Sequence, residues 1–238
     1  MKKTLTLLFA TLLSLSYGQN IDDCFAYFPN EDYPKAFTCF KPLAEKGDAY
    51  AQNSLGVLYD KGLGVKRNYA KAKEWLEKAA LQDYTEAQFL LGLLYDEQGS
   101  YAKAKEWYEK VALQNHTEAQ LNLGLLYYGG LGVTQNYLKA KEWWEKAALQ
   151  GNAVAQFYLG VLYDSGLGVA QDYLKAKEWW EKAAEQGYAK AQYNLGVLYA
   201  NGQGVRQDLT KAKEWYKKAC DNGHQKGCLL YKDLNQSL

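Results

Sequence analysis

Proline and histidine are scarce in this chain, and their scarcity limits what the chain can be. Of 238 residues, three are proline and all three precede residue 43, so every later helix can continue without a break. The two histidines, His116 and His224, do not recur in the repeated pattern described below. A catalytic site that combines a nucleophile, a base and an orienting group therefore has little to draw on.

Neither sign of charge is in excess. The chain has 28 basic and 27 acidic residues, and removing Lys2 and Lys3 leaves 26 basic against 27 acidic residues, a formal charge of −1. Nucleic-acid binding usually needs a concentrated basic face, so we predict no nucleic-acid partner. Lysine and glutamate alternate instead, as at 139–146, which predicts solvated helix faces with weak charge pairs.

The first eighteen residues have the pattern of a secretory signal peptide. Residues 2–3 are basic, residues 5–15 form an apolar stretch too short to span a bilayer, and Ser16 and Gly18 supply the small residues of a cleavage site. No later segment is apolar enough to cross a membrane. We therefore expect residues 1–18 to be removed and the mature protein to be exported, either periplasmic or secreted, with no stable membrane insertion after signal cleavage.

A five-residue motif, Lys-Ala-Lys-Glu-Trp, recurs through most of the chain. Its tryptophans are separated by 32, 36, 36 and 36 residues. They are Trp75, Trp107, Trp143, Trp179 and Trp215. A second block, Ala-Gln-x-x-Leu-Gly-x-Leu-Tyr, occurs once before each copy of this motif. Its copies start at Ala51, Ala87, Ala119, Ala155 and Ala191. A fixed period of roughly 20–50 residues indicates an array in which each unit buries its apolar face against its neighbours.

Each full period predicts two helices joined by a Gly-x-Gly turn, so the expected fold class is all-α. In residues 152–187, apolar side chains recur at spacings of three and four on both sides of the turn at 166–168, and Gly187 stands where a left-handed helix cap is expected. A glycine in the middle of each first helix predicts close approach to an alanine of the second helix. The glycines are Gly56, Gly92, Gly124, Gly160 and Gly196, and the alanines are Ala72, Ala104, Ala140, Ala176 and Ala212.

These motifs resemble the Sel1-like repeat, a relative of the tetratricopeptide repeat with a longer, glycine-rich turn. The resemblance covers residues 49–231, although the Gly-x-Gly-Val turn is missing between Tyr95 and Lys103. It implies a right-handed α-solenoid of stacked helix-turn-helix repeats. The expected segments are the signal peptide at 1–18, a partial N-terminal capping repeat at 19–47, five repeats at 48–223 and a C-terminal capping helix at 224–238.

Four cysteines in a chain expected to be exported suggest two disulfides. Aligned on the short repeat, Cys24 takes the mid-helix glycine position and Cys39 the tryptophan position of the facing helix, which implies a Cys24–Cys39 bridge. The spacing of Cys220 and Cys228 resembles that of the secreted cysteine-rich branch of the Sel1 family and implies the second bridge. A reduced, reactive pair or a metal site that includes His224 is the alternative. Because three candidate ligands fall there and export favours oxidation, we predict no metal site.

One short motif matches an enzyme. Ser100-Tyr101-Ala102-Lys103 has the Ser-x-x-Lys spacing of penicillin-recognising enzymes, and some cysteine-rich Sel1 relatives resemble weak β-lactamases. However, Lys103 belongs to the repeat consensus, and the companion motifs Ser-Asp-Asn and Lys-Thr-Gly are absent. We predict a non-catalytic protein without a cofactor, and keep β-lactam binding or weak β-lactamase activity as the alternative.

The resemblance to tetratricopeptide-like stacks, whose first helices line the concave side, implies a binding surface on those helices. Outward positions would be the third, seventh and tenth residues counted from the Ala-Gln block. The predicted ligand-binding residues are Phe89, Leu121, Phe157 and Tyr193 at the third position, and Asp60, Asp96, Tyr128 and Asp164 at the tenth. If exposed, they form an apolar and aromatic stripe with an acidic edge.

This stripe predicts an exported scaffold that binds a protein or peptide on its concave face. An extended or helical ligand with apolar anchors and some positive charge would fit it best. Lysine and arginine are absent from the third position, which argues against the carboxylate-clamp binding of chaperone C-termini used by some tetratricopeptide domains. The seven tryptophans lie in the second helices at core-like spacing, so we expect them to pack rather than to form a ligand cage.

Overall fold

The computed structural model describes residues 21–237, and the side chains of residues 21–236. In that range the chain forms thirteen helices and no strand, which confirms the all-α class. The predicted signal peptide, residues 1–18, lies outside the described residues. Between residues 21 and 237, none of the helices has the length and apolar character needed to cross a membrane.

The chain divides into two compact units, the first ending at Leu94 and the second beginning at Tyr95. The helices that begin in unit 1 are α1 (Ile21–Phe25), α2 (Tyr33–Glu45), α3 (Ala49–Lys61), α4 (Tyr69–Ala80) and α5 (Thr85–Glu97). Those of unit 2 are α6 (Tyr101–Ala112), α7 (Thr117–Gly129), α8 (Tyr137–Leu149), α9 (Ala153–Ser165), α10 (Tyr173–Glu185), α11 (Ala189–Asn201), α12 (Leu209–Asp221) and α13 (Gln225–Ser237). Within each unit, consecutive helices pack as hairpins and consecutive hairpins stack, as the repeat pattern predicts.

Short polar side chains set where the second helices begin. The Asn136 side-chain oxygen Oδ1 accepts a hydrogen bond from the Lys139 backbone amide at 3.0 Å, and the side chains of Asp172 and Asp208 cap α10 and α12 in the same way. The first helices α7, α9 and α11 end at a glycine in the left-handed region, where a side chain would be strained. These are Gly130, Gly166 and Gly202, with φ values of 66°, 67° and 69°.

The mid-helix glycines face a large side chain and not, as predicted, mainly an alanine. A Cβ placed on Gly196 would lie 2.5 Å from the Tyr216 ring, and one on Gly160 would overlap the Trp180 indole. In unit 1, the Leu76 side chain fills the same space over Gly56. The predicted alanines lie one helical turn before these large residues, and the missing Cβ makes room for the larger side chain.

The second glycine of each Gly-x-Gly turn packs against the preceding hairpin. A Cβ on Gly168 would lie 2.6 Å from the Cβ of Tyr137 at the start of α8, and one on Gly204 would lie 2.6 Å from the Cβ of Tyr173 at the start of α10. The turn therefore joins neighbouring repeats as well as the two helices of its own repeat. This close approach explains why the second glycine recurs with the period of the repeat.

A buried glutamine links each hairpin to the next. In unit 2, the Gln156 amide nitrogen donates to the Ala148 carbonyl oxygen at 3.2 Å, and its side-chain oxygen accepts from the Gln186 amide at 2.8 Å. The Gln120 and Gln192 side chains are also buried and repeat this arrangement, the latter with Asn222 as donor. Unit 1 contains the equivalent bonds of Gln52. Each of these buried amides thus donates to a carbonyl at the end of the preceding helix and accepts from a side chain at the end of the second helix of its own repeat.

Two disulfides bind the first and last helices of the described chain to their neighbours. Cys24 on α1 is joined to Cys39 on α2, and both are buried. Cys220 on α12 is joined to Cys228 on α13 across the connection between these helices. The pairing is the one implied by the family resemblance.

We predict that Gln156→Met destabilises the protein by about 1–3 kcal/mol, because it removes both hydrogen bonds of the buried Gln156 side chain, the one donated to the Ala148 carbonyl and the one accepted from the Gln186 amide. Chemical denaturation followed by circular dichroism measures the change in the free energy of unfolding. Gln98→Met is the matched control, since Gln98 is exposed, and surface substitutions usually stay within about 0.5 kcal/mol. Equal stability of the two variants would contradict a structural role for the buried amide.

Candidate functional site

The predicted stripe is least accessible in unit 1. Asn53 and Phe89, its third-position residues there, are 7% and 9% exposed. In unit 2, Leu121, Phe157 and Tyr193 are half-buried. The accessible part of the predicted third-position set therefore lies in unit 2.

The third-position aromatics contact the N-cap residue of the next first helix. The Phe157 ring lies 5.2 Å from the Tyr188 ring between centroids, and the Tyr193 ring stacks on the His224 imidazole at 4.4 Å. Tyr188 and His224 occupy the N-cap positions of α11 and α13. These contacts explain why the two aromatics are half-buried while still facing a surface.

The acidic edge is largely engaged by the protein itself. The Tyr108 hydroxyl donates to Asp96 at 3.1 Å, and burial raises the pKa of the Asp96 carboxyl above its usual range. Burial also raises the pKa of Asp164. In unit 1, the Asp60 carboxylate lies 2.7 Å from the Lys61 ammonium. Tyr128 packs among aromatic rings, 5.5 Å from Trp144 and 5.4 Å from Tyr137.

A cleft of about 450 Å³ opens on unit 2 beside two of the predicted residues. It is lined by Phe157, Lys190, Tyr193, Asn194, Gly223, His224, Gln225 and Lys226. Its aromatic part comes from α9 and α11. One wall is the start of α11, and the other is the short connection between α12 and α13 together with the first residues of α13.

His224 lines this cleft and caps α13. Its Nδ1 accepts a hydrogen bond from the Gly227 amide at 3.1 Å, so Nδ1 is unprotonated and caps α13. Burial lowers the pKa of the His224 imidazole, and the positive charges of Lys190 and Lys226 lower it further. Cys220 and Cys228 form a disulfide, so neither offers a thiolate to a metal that His224 could share.

The same disulfide positions one wall of the cleft. The bridge closes a short loop, and Gly223, His224, Gln225 and Lys226 all lie inside it. A covalent bond at this connection limits the movement of α13 away from α12. The second disulfide therefore holds the residues that face Tyr193 and Lys190.

The lysines and the asparagine of the cleft are the residues that the sequence analysis missed. Lys190 and Lys226 are exposed and take no part in an ion pair within residues 21–236. The Asn194 amide likewise has no hydrogen-bond partner in the described chain. The predicted stripe counts the third and tenth residues of each Ala-Gln block, whereas Lys190 and Lys226 are each the second residue of a helix. The spacing of 36 residues between Lys190 and Lys226 was the available signal.

His116 also proves to be a helix cap. Its Nδ1 accepts a hydrogen bond from the Ala119 amide at 3.3 Å, which starts α7. In the next repeat the equivalent residue is Asn152, 36 positions later. Asn152 caps α9 by the same bond, so the two residues are equivalent in role.

The tryptophans divide into two groups, one buried and one half-buried. Trp144 and Trp180 are buried, and their indole nitrogens donate to the carbonyl oxygens of Leu121 and Phe157 at 3.1 Å. The five consensus tryptophans are half-buried, and each carries a lysine ammonium over its ring at 4.0–4.3 Å. Their lysines are Lys78, Lys110, Lys146, Lys182 and Lys218.

Ser100 and Lys103 are not arranged as a nucleophile and its base. Lys103 directs its ammonium over the Tyr95 ring, 5.4 Å from the centroid. Ser100 stands at the N-cap of α6, and its backbone carbonyl accepts from the Lys103 amide. The motif is therefore the start of a helix, and its lysine belongs to a row of lysine–tyrosine contacts that includes Lys139 over Tyr127.

We expect the stability of the α13 cap to depend on pH through His224. The folded-state pKa lies below the ordinary value of 6.5, so the stabilising contribution is complete above pH 6.5 and is lost as the pH falls below it. Protonation also removes the Nδ1 acceptor for the Gly227 amide. His224→Asn keeps a cap that does not titrate, as at Asn152.

The check is the melting temperature of both proteins between pH 8 and pH 5. We expect the melting temperature of the variant to rise relative to that of the wild type as the pH falls. Above pH 7 the difference between the two melting temperatures should stay constant. The charged and titratable groups around His224 are Lys190, Lys226 and Tyr193, and they are present in both proteins. Parallel loss of stability in the two proteins would rule out His224 as the source.

The profile of the Sel1 repeat family matches six segments of the chain: 19–48, 49–84, 85–116, 117–152, 153–188 and 189–224. A Sel1 repeat protein of Oxalobacter formigenes is 34% identical in a match that covers 90% of this chain and 87% of that one, with a TM-score of 0.80. The antigen c5321, described as a protective antigen of uropathogenic Escherichia coli strains with an SLR fold, is 36% identical, with a TM-score of 0.77. That match covers 87% of this chain and 45% of c5321.

Among curated proteins, the chain is similar to HRD3B of Arabidopsis thaliana, an ERAD-associated E3 ubiquitin-protein ligase component. The two are 52% identical over 44 residues, which is 18% of this chain and 7% of HRD3B. The curated relatives that the chain matches are longer proteins, of which it spans 14% or less. Family profile and solved structures agree over most of the sequence, and the chain belongs to the Sel1 repeat family.

Proposed function

We propose that this chain is an exported, non-catalytic scaffold that holds a protein or peptide partner in the cleft of unit 2. Sel1 repeat proteins generally mediate protein–protein interactions, and the family is typically non-catalytic. The cleft itself is the observation that carries the proposal. It combines half-buried aromatic rings with lysine and asparagine side chains that have no partner inside the described chain.

The chemistry of the cleft suits a peptide. Phe157 and Tyr193 offer apolar area, and their contacts with Tyr188 and His224 hold them in place before a partner binds. Preorganised aromatic anchors lose little conformational entropy on binding. The free Asn194 amide can both donate to and accept from a peptide backbone.

The rest of the predicted stripe extends the proposed contact surface to a lesser degree. Leu121, Tyr128 and Asp164 are half-buried residues of unit 2 and can contact a partner longer than the cleft. Phe89, Asp60 and Asp96 contribute less, because burial or an intramolecular partner leaves them little surface to offer.

Two disulfides support export. Disulfides persist in oxidising compartments such as the periplasm and the extracellular space, and are rare in the cytosol. Cys24–Cys39 and Cys220–Cys228 account for all four cysteines. Together with the signal-peptide pattern of residues 1–18, they support the proposed location in the periplasm or outside the cell.

The proposal predicts that Phe157→Ala/Tyr193→Ala loses its partner while remaining folded. Crosslinking and affinity capture from the exported fraction would identify the protein retained by the wild type. With that partner purified, titration calorimetry should show binding weakened roughly tenfold or more, as expected when a buried aromatic anchor is removed.

The matched control is Leu113→Ala/Leu149→Ala. These leucines are 74% and 82% exposed, one at the C-cap of α6 and the other at the last residue of α8, and neither lines the cleft. Circular dichroism establishes that both variants fold. Binding that survives the cleft substitutions but is lost in the leucine control would move the binding surface elsewhere and overturn the proposal.

A further inference from the structure

The cleft differs from the helix surfaces of unit 2 in its uncompensated positive charge. On α8 and α10, Lys141 and Lys177 are paired with a glutamate one turn later, Glu145 at 2.6 Å and Glu181 at 2.7 Å, and the lysines at 146 and 182 lie over tryptophan rings. The eight cleft-lining residues include two lysines and no acidic residue. The acidic residue at the end of α12, Asp221, is paired with Lys217 at 2.8 Å.

The two lysines come from different repeats and line the same cleft. Lys190 lies at the start of α11 and Lys226 at the start of α13. Both positive charges lower the pKa of the His224 imidazole, which lies in the wall between them. The cleft lining therefore carries two positive charges and no negative charge, so a negatively charged group entering it would be stabilised.

The polar and apolar parts of the cleft lie side by side. Asn194 follows Lys190 by one helical turn, so the two side chains share a face of α11. The aromatic rings of Phe157 and Tyr193 line the same cleft. A bare inorganic anion would leave these rings uncovered, whereas an acidic residue with an apolar neighbour would use both parts.

We propose that the cleft binds an acidic segment of a partner protein, with an Asp or Glu carboxylate between Lys190 and Lys226 and an adjacent apolar side chain on Phe157 and Tyr193. The Asn194 amide bonds the backbone of that segment. This inference rests on the proposed function and gives the ligand a charge opposite to the one expected from the stripe. It also assigns Lys190 and Lys226, from outside that stripe, as the residues that select the ligand.

Two pools of synthetic hexapeptides test the inference with the full mature protein. Both pools are N-acetylated and C-amidated, so they carry no terminal charge, and they differ only in a central Glu-Phe or Gln-Phe pair. Nuclear magnetic resonance of the ¹⁵N-labelled protein would follow the amide signals of Asn194 and Lys226 during each titration. We expect the glutamate pool to bind at least about fivefold more tightly, and raised salt to reduce this preference.

The variants separate charge from apolar contact. Lys190→Gln/Lys226→Gln should bind the two pools equally, while Phe157→Ala/Tyr193→Ala should weaken binding of both. Lys66→Gln/Lys232→Gln, at exposed lysines outside the cleft, is the control and should keep the preference. A carboxylate seated in the cleft should also raise the pKa of His224, measured from its imidazole signals.

Three results would overturn the inference. The first is equal binding, or no binding, of the two blocked pools. The second is tighter binding of a third pool, the glutamine peptides made with a free C-terminal carboxylate, than of the blocked glutamate pool, which would assign the cleft to chain termini. The third is displacement of the glutamate pool by millimolar inorganic phosphate, which would assign it to phosphate groups.

The outcome for the proposed function is separate. Partner capture that depends on Phe157 and Tyr193 but not on the two lysines would leave the scaffold standing without an acidic ligand. Partner capture that depends neither on the two aromatic residues nor on the two lysines would overturn both the proposed function and the acidic-ligand inference.

Discussion

The buried glutamine amide is the interaction on which the stacking of hairpins depends. Gln156 lies where a first helix meets the end of the preceding hairpin, and its amide gives the Ala148 carbonyl a second donor beside the Gly151 backbone amide. Its own oxygen is satisfied by Gln186. Because a buried polar group without a partner is costly, each such glutamine selects one register between hairpins. The glycines then permit the close approach that this register requires, with Trp180 lying over Gly160.

The cleft follows from the same stacking. Neighbouring first helices are brought side by side, so the third residue of one meets the N-cap residue of the next, as Tyr193 meets His224. The second residues, Lys190 and Lys226, then line one cleft although they are 36 positions apart in the chain. The Cys220–Cys228 bridge fixes the outer of these two helices, which has a disulfide at its start where earlier repeats have none. The repeated geometry thus forms a cleft at the place where the last helix of the described chain is held by a covalent bond.

Several features could be predicted from the sequence because they depend on local chemistry. The 36-residue period, the spacing of apolar residues and the glycines after first helices define the hairpins, and helix periodicity is a property of neighbouring residues. The choice of Phe157 and Tyr193 as binding residues came from counting along a first helix, and both line the cleft. The same counting also selected Phe89, which is buried. Position along a helix does not show which residues of neighbouring helices cover a side chain.

The sequence by itself determined that the chain is an all-α array of Sel1 repeats, since a repeated pattern of glycine, tryptophan and alanine specifies the same hairpin each time. It did not determine which side chain fills the space over each mid-helix glycine. Nor did it show that the recurring glutamine of the Ala-Gln block forms hydrogen bonds between hairpins. Both features depend on distances between helices. Only the tertiary structure showed that Lys190, Asn194 and Lys226 share a cleft with no acidic residue. Charges compensate or accumulate according to their positions in space, and those positions are set by packing between repeats.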